Sequence, residues 1–317
     1  MDLAKVANII FQKCLGLSSK ESCLILCDNG TTKLGRSLLK EAFLISSNSY
    51  LLEMKPREIN GEELPGLVAE TMKYADVVVA PTSKSMTHTK ARREACANGA
   101  RIASMPGITE EILLRTFSVD FDAMYESTMK LTQILNNAKM IEMKCNKGSH
   151  LTLSIANRKA IADTGILTEP GMFGNLPAGE SYIAPVEGTA QGQIVLDGMM
   201  AGVGLLEEPI IIEVVNGLAC RIFGGKKAKQ LEQLLERAGE KGVRNIAEFG
   251  IGTNPSAKVT GKVLEDEKVS GTIHIALGNN ISMGGNVDVP IHLDGVVMKP
   301  TVYIDGLQII YDGRLLV

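Results

Sequence analysis

Four histidines occur in the chain, and two of them lie near acids in segments that read as strands. His274 falls in GTIHIALGNN, and His292 and Asp294 fall in VPIHLDGVV. Residues two apart on a strand point to the same face, so His292 and Asp294 project side by side. An imidazole and a carboxylate so placed make a nitrogen-plus-oxygen clamp for a metal ion, which His274 on a neighbouring strand could complete. The same residues also read as satisfied core or interface histidines and a turn aspartate before Gly295. Glu248, in IAEFGIGTNP, lies between an Ala and a Phe, just ahead of a Gly/Asn/Pro turn. A half-buried side chain is expected there, and a buried lone carboxylate is costly unless it is paired or bound to a cation. Glu180, in NLPAGESYIAP, is an acid of the same kind at the entry to an apolar stretch. Each also reads as a surface acid.

The elements around these residues fall into two parts. From residue 22 to about 120, short apolar runs alternate with helical patterns. SCLILC, SYLLEM, DVVVAP and ARIAS read as strands, and the segments between them carry apolar residues at helical spacing. That alternation predicts parallel βαβ units, a Rossmann-like three-layer domain over residues 1–138. No GxGxxG or GxxxxGK[ST] occurs at a strand-to-helix turn, so DNGTTKLG reads as an ordinary turn rather than a nucleotide cradle. DFDAMYESTMKLTQILNN (121–138) reads as one long connecting helix. Residues 139–317 are rich in Gly and in strand-like runs, interrupted by one helix in KKAKQLEQLLERAGEKG. They predict a largely antiparallel, β-rich α+β domain. The fold class is therefore α/β in the first part and α+β in the second.

Composition narrows the function. The chain has 317 residues with 33 Lys+Arg against 36 Asp+Glu, a net charge of −3, which argues against a nucleic-acid binder. Aromatic residues are 4% with no Trp, which disfavours stacking platforms. Six cysteines without a CxxC give no thiolate zinc or redox site; Cys23, Cys27 and Cys220 read as buried thiols in apolar runs. No apolar run approaches the roughly 20 residues of a membrane span. A cytoplasmic protein that engages neither nucleic acid nor membrane is expected.

NLPAGESYIAP, AEFGIGTNP, LEDEKVSGTIHIALG and VPIHLDGV come in this order and at these spacings. They resemble the thermophilic-type metalloaminopeptidases, the aminopeptidase T or leucyl aminopeptidase family, over most of residues 140–317. The resemblance implies that Glu180, Glu248, His274, His292 and Asp294 hold a pair of divalent ions, zinc, cobalt or manganese, with Glu248 bridging. It implies hydrolysis of a small peptide from its N-terminus by a metal-activated water, with catalytic roles for Glu180 and Glu248, and a homodimer. The sequence departs from that family's pattern at Ile281, which stands where the family has a tyrosine thought to stabilise the tetrahedral intermediate. Loss of one such donor typically costs on the order of 100- to 1000-fold in turnover, unless Asn279, Asn280 or Ser282 substitutes.

The alternative implied by resemblance is a ring-cleaving dioxygenase acting on a dihydroxypyridine, with one Fe(II) held by the triad His274, His292 and Asp294. Under it His88, at the start of a helix after the DVVVAP strand, becomes an acid–base group; it also reads as a water-exposed residue at a helix start. A third reading is a non-catalytic relative that keeps the metal as a structural element. The basic run KARR (90–93) reads as a solvated face or a holder of a substrate carboxylate. Asp266 and Glu267, in the charged turn before the His274 strand, read as exposed, with ligand orientation as the other possibility.

Overall fold

A computed structural model describes residues 2–317. The chain forms two compact units, residues 2–118 with Gly165–Ala178, and Val119–Thr164 with Gly179–Val317. These units differ from the division expected at 138/139. The helix Phe121–Asn137 buries Leu131 and Leu135 in the core of the second unit, and its Thr132 hydroxyl lies 2.7 Å from that of Ser181. Residues 165–178 return to the first unit, where Phe173–Asn175 adds a parallel edge strand beside Arg101–Ser104. A three-residue strand in a Gly/Pro-rich segment carries too little periodicity to show which sheet it joins.

The first unit is the expected parallel α/β layer structure. Its five strands run in the order Ser49–Met54, Cys23–Asp28, Val77–Ala80, Arg101–Ser104, Phe173–Asn175. The strand CLILCD is buried along its whole length, as a strand covered on both faces must be. Leu24, Leu26 and Val78 pack with Val68 and Met72 of one helix and Ala91 and Ala95 of another. Cys27 meets the helix Thr32–Phe43 on the opposite face, where a Cβ on Gly35 would crowd its sulfur. Burial pushes the Cys23 thiol up to about 12, so it behaves as a small apolar side chain.

The second unit contains an eight-stranded and a seven-stranded sheet whose pairings are antiparallel. They share one core, with Ile141, Leu153 and Ile212 from the first and Phe249, Ile275 and Val297 from the second. The helix Gly225–Ala238 adds Leu231 and Leu235. Four adjacent strands of the seven-stranded sheet, His292–Val297, Ile273–Gly278, Ile246–Gly252 and Glu180–Ile183, position the ligand-type residues. In Ile273–Gly278 the odd residues Ile273, Ile275 and Leu277 face the core, so His274, Ala276 and Gly278 face away from it.

Opposite His274 in the ladder is Gly250, and a Cβ there would overlap the imidazole. Glycine at this position makes room for the ring to lie across the neighbouring strand. Gly250→Ala should therefore displace His274 and cost about 1–3 kcal/mol. Thermal unfolding should show a drop of several degrees, and a metal titration should show weaker uptake; an unchanged melt and titration would contradict this role.

Candidate metal centre

Each ligand-type side chain owes its direction to strand parity. Gly252 pairs with Glu180, Glu248 with Ala276, Ala276 with Asp294, and Gly278 with His292. Glu180, Glu248, His274, His292 and Asp294 therefore share one face, with the small residues Gly250, Gly252, Ala276 and Gly278 between them. Glu248 follows the alternation of Gly250 and Gly252, and a bulge just before it returns Ile246 to the core. Ile246 pairs with Leu277 and faces the core, yet Glu248, two residues on, pairs with Ala276 and faces the centre. The extra residue, Ala247, reverses the alternation, a common use of bulges beside functional sites.

Glu248 sits at the middle of the arrangement. Its Oε1 lies 3.0 Å from His274 Nε2 and its Oε2 3.1 Å from His292 Nε2. Asp294 Oδ1 is 3.3 Å from His292 Nε2. Ligand atoms of Glu248, His292 and Asp294 all lie within 4.8 Å of one another. This compact group contains His292 and Asp294 of the triad expected for iron, and His274, the third member, contacts the Glu248 carboxylate. His292 Nδ1 is 2.7 Å from the carbonyl oxygen of Asn279. That contact holds the Nδ1 proton and aims Nε2 at the carboxylates, the usual way a ligating imidazole is oriented.

Glu180 is drawn two ways. Its Oε1 accepts from Lys268 Nζ at 2.6 Å, and its Oε2 lies 3.5 Å from His274 Nε2 without a hydrogen bond. Lys268 is fully buried and also meets Glu267 at 2.7 Å and Asp163 at 3.3 Å. Lys268 was missed in the sequence because LEDEKVSG looks like a solvated charged turn. Its neighbours correct the exposure expected of Asp266 and Glu267. Asp266 is buried and accepts from the Thr260 and Gly261 amides, and Glu267 faces Lys268. The signal available was the position of three acids and a lysine directly before an apolar strand, where the chain must turn inward.

Asp163, Lys268, Glu180, His274, Glu248, His292 and Asp294 thus form a continuous chain of alternating acids and bases. Burial opposes charging of His274, but Glu248 and Glu180 overcome it and raise its pKa to about 9. Burial likewise opposes charging of His292, and Asp294 and Glu248 hold it well above the ordinary histidine value. Burial raises Glu180 to about 8 against the pull of Lys268, whose charge is shared with two other acids. Glu248 is lowered, because its bonds to the two histidines outweigh burial. Tyr182 pairs with Gly250 and so lies on the same face, its phenol pushed well up by burial and by Glu248 and Glu180.

These shifts fix a pH dependence for the metal-free protein. The His274 contribution is whole below about pH 6.5, the unfolded value, and is lost as pH rises through about 9. The Glu180 contribution is lost in the same direction, up to about 8. Calorimetry in a chelator should show the melting temperature falling between pH 6.5 and 9. The expected loss is roughly 3 kcal/mol from His274. A divalent ion competes with these same protons, so its uptake should release protons and strengthen as pH rises. A flat melting profile over that window would count against the paired imidazoles.

The remaining expected residues lie elsewhere. His88 belongs to the first unit, exposed at the turn leading into the helix Lys90–Ala97, and its carbonyl accepts from Arg93. It is not in the ligand group found among the described residues. Ile281 is half exposed and opens a short 3-10 turn. The amide groups of Asn279 and Asn280 are spent on Asp288 and Glu187. Among the described residues, no helix is long and apolar enough to cross a membrane.

Fold and site define a class: a mixed α/β protein whose antiparallel unit carries a buried imidazole–carboxylate centre with the donors for a divalent cation. A family model described as NicX, 2,5-dihydroxypyridine 5,6-dioxygenase, matches residues 50–317, and the chain belongs to that family. A curated relative, 2,5-dihydroxypyridine 5,6-dioxygenase of Pseudomonas putida KT2440, is 24% identical over 254 residues, 76% of this chain and 71% of the relative. The structure of 2,5-dihydroxypyridine dioxygenase from Pseudomonas putida KT2440 has the same fold, with a TM-score of 0.85 at 19% identity, covering 100% of this chain and 98% of that one. Wild-type AmpT from Thermus thermophilus is also similar in fold, with a TM-score of 0.76 at 18% identity over 99% of each chain.

These findings correct the expectation of an aminopeptidase. The matching family and the curated relative are dioxygenases, so the assignment as a hydrolase and metalloprotease falls. The resemblance that prompted it survives as a likeness of fold to AmpT. The motif residues form one cluster on one sheet face, and such a cluster does not specify which reaction it serves.

Proposed function

We propose that this protein is a non-haem iron dioxygenase that opens the ring of a dihydroxylated pyridine. The observation that carries this reading is the buried group of Glu248, His292 and Asp294, in a chain of the dioxygenase family. The donors suit iron: imidazole and carboxylate without thiolate. The surroundings suit a cation too, since Glu180 Oε2 is buried without a hydrogen bond and acids outnumber fixed positive charges.

Glu248, His292 and Asp294 would hold the ion. Iron(II), when bound, supplies the reactivity toward O2 that amino-acid side chains lack. His274 holds Glu248 through Oε1, so the carboxylate keeps its orientation between the two imidazoles. The Asn279 carbonyl keeps His292 Nε2 turned to the centre. Lys268 fixes Glu180 through Oε1 and leaves Oε2 facing His274 Nε2 at 3.5 Å.

The test is anaerobic loading of the purified protein with Fe(II), followed by oxygen uptake on 2,5-dihydroxypyridine and its positional isomers. One equivalent of O2 consumed per ring opened is expected, with both atoms entering the product. Bound iron without uptake on any isomer would overturn the reading.

A further inference from the structure

The loop 279–291, which joins the His274 strand to the His292 strand, is held by a polar anchor outside the centre. Asn280 is fully buried; its Nδ2 donates to Glu187 Oε1 at 2.9 Å and its Oδ1 accepts the Val287 amide at 2.9 Å. Glu187 also accepts the Asn286 amide at 2.8 Å, and its other oxygen pairs with the Arg158 guanidinium. Arg158 in turn donates to the Gly284 carbonyl. A Cβ on Gly285 would overlap the Asn280 amide, so glycine there lets the loop close over it. Burial raises the Glu187 carboxyl, but the amide of Asn286 and the other donors outweigh it and keep it ionised.

The same loop carries the carbonyl that orients His292. Asn279 donates through Nδ2 to Asp288 and to the Val289 carbonyl, and its backbone amide bonds Ile291 at 2.8 Å. Its own carbonyl is thereby fixed 2.7 Å from His292 Nδ1. His292 is the most exposed member of the cation group, with 24% of its side chain accessible, so packing alone confines it least.

We infer that Glu187, with Arg158, is a positioning residue: by anchoring the loop 279–291 it fixes the Asn279 carbonyl, and through it the His292 imidazole that binds the cation. This rests on the reading of His292 as a cation ligand, not on the identity of the substrate. Neither Glu187 nor Arg158 is bonded to Glu248, His292 or Asp294, and both lie on loops remote in sequence from those three residues. Outer partners of ligating histidines typically contribute 10- to 100-fold in metal affinity.

The test compares wild type, Glu187→Ala, Glu187→Gln and Glu187→Asp by Co(II) titration of the metal-free chain and by amide hydrogen exchange. Glu187→Ala should speed exchange at the Asn286 and Val287 amides and weaken Co(II) binding about 10-fold or more, with a shifted Co(II) visible spectrum. Glu187→Asp, which keeps the charge, should recover part of the affinity, and Glu187→Gln should fall between. Faster loop exchange with unchanged affinity and spectrum would overturn this inference alone. A wild-type chain that takes up no Co(II) would overturn the cation reading as well. Should Glu187→Ala fail to fold, Asn280→Ser, which cuts the same anchor at its other end, must reproduce the loss, and its failure to do so overturns the inference.

Discussion

Glu248→Gln should abolish stable metal uptake while leaving a folded protein. The carboxylate is shared between two imidazoles, at 3.0 Å and 3.1 Å, and its ligand atom lies within 4.8 Å of those of His292 and Asp294. The amide removes a negative charge from the cation group and places an N–H₂ against an imidazole that already carries a proton. Even outer partners cost about 10- to 100-fold in affinity, so removal of a central ligand should cost more than about 100-fold. Fe(II) or Co(II) titration gives the affinity, and calorimetry of the metal-free form gives the stability. The variant should also lower the pKa values of both histidines, which Glu248 holds up. Retention of wild-type affinity would remove Glu248 from the centre.

Lys268→Met should have the largest effect on stability. The ammonium is fully buried and stands against Glu180, Glu267 and Asp163 at 2.6, 2.7 and 3.3 Å. Removing one partner of a buried pair strands the other's charge, at a cost of about 3–5 kcal/mol. For a unit of this size that is on the order of 10 °C in melting temperature. The loss should be greater at high pH, because Glu180 and Glu267 are already raised by burial and escape the cost by taking protons at low pH. Glu180→Gln in the same chain should recover part of the loss, and a double-mutant cycle measures the coupling. A melt within a degree or two of wild type at both pH values would contradict the assignment of Lys268 as a paired cation.

Particular residues show what the sequence made legible. The parallel sheet of the first unit followed from VVV before a proline and from CLILC, since uniform apolar runs suit strands covered on both faces. His292 and Asp294 were legible together because period-2 spacing puts them on one face with no tertiary knowledge. Glu248 was harder. Read back from Ile251 and Phe249, strict alternation places Ala247 inward and Ile246 outward, whereas the bulge turns both Ile246 and Phe249 inward. No local propensity announces such a register shift; it is set by the pairing with the His274 strand. Lys268 and Asp163 were illegible for a related reason. Their mutual pairing depends on strands distant in sequence, and each alone has the look of a surface charge. The likeness to aminopeptidases holds at the level of fold, yet the choice between hydrolysis and oxygen chemistry is not written in which side chains share a face.

The most direct test of the cation reading is a crystal grown anaerobically with Fe(II), with anomalous scattering collected at the iron edge. The expected result is one peak in contact with Glu248, His292 and Asp294, with Lys268 still bound to Glu180. A peak elsewhere in the chain, or none at that position in iron-loaded protein, would contradict it.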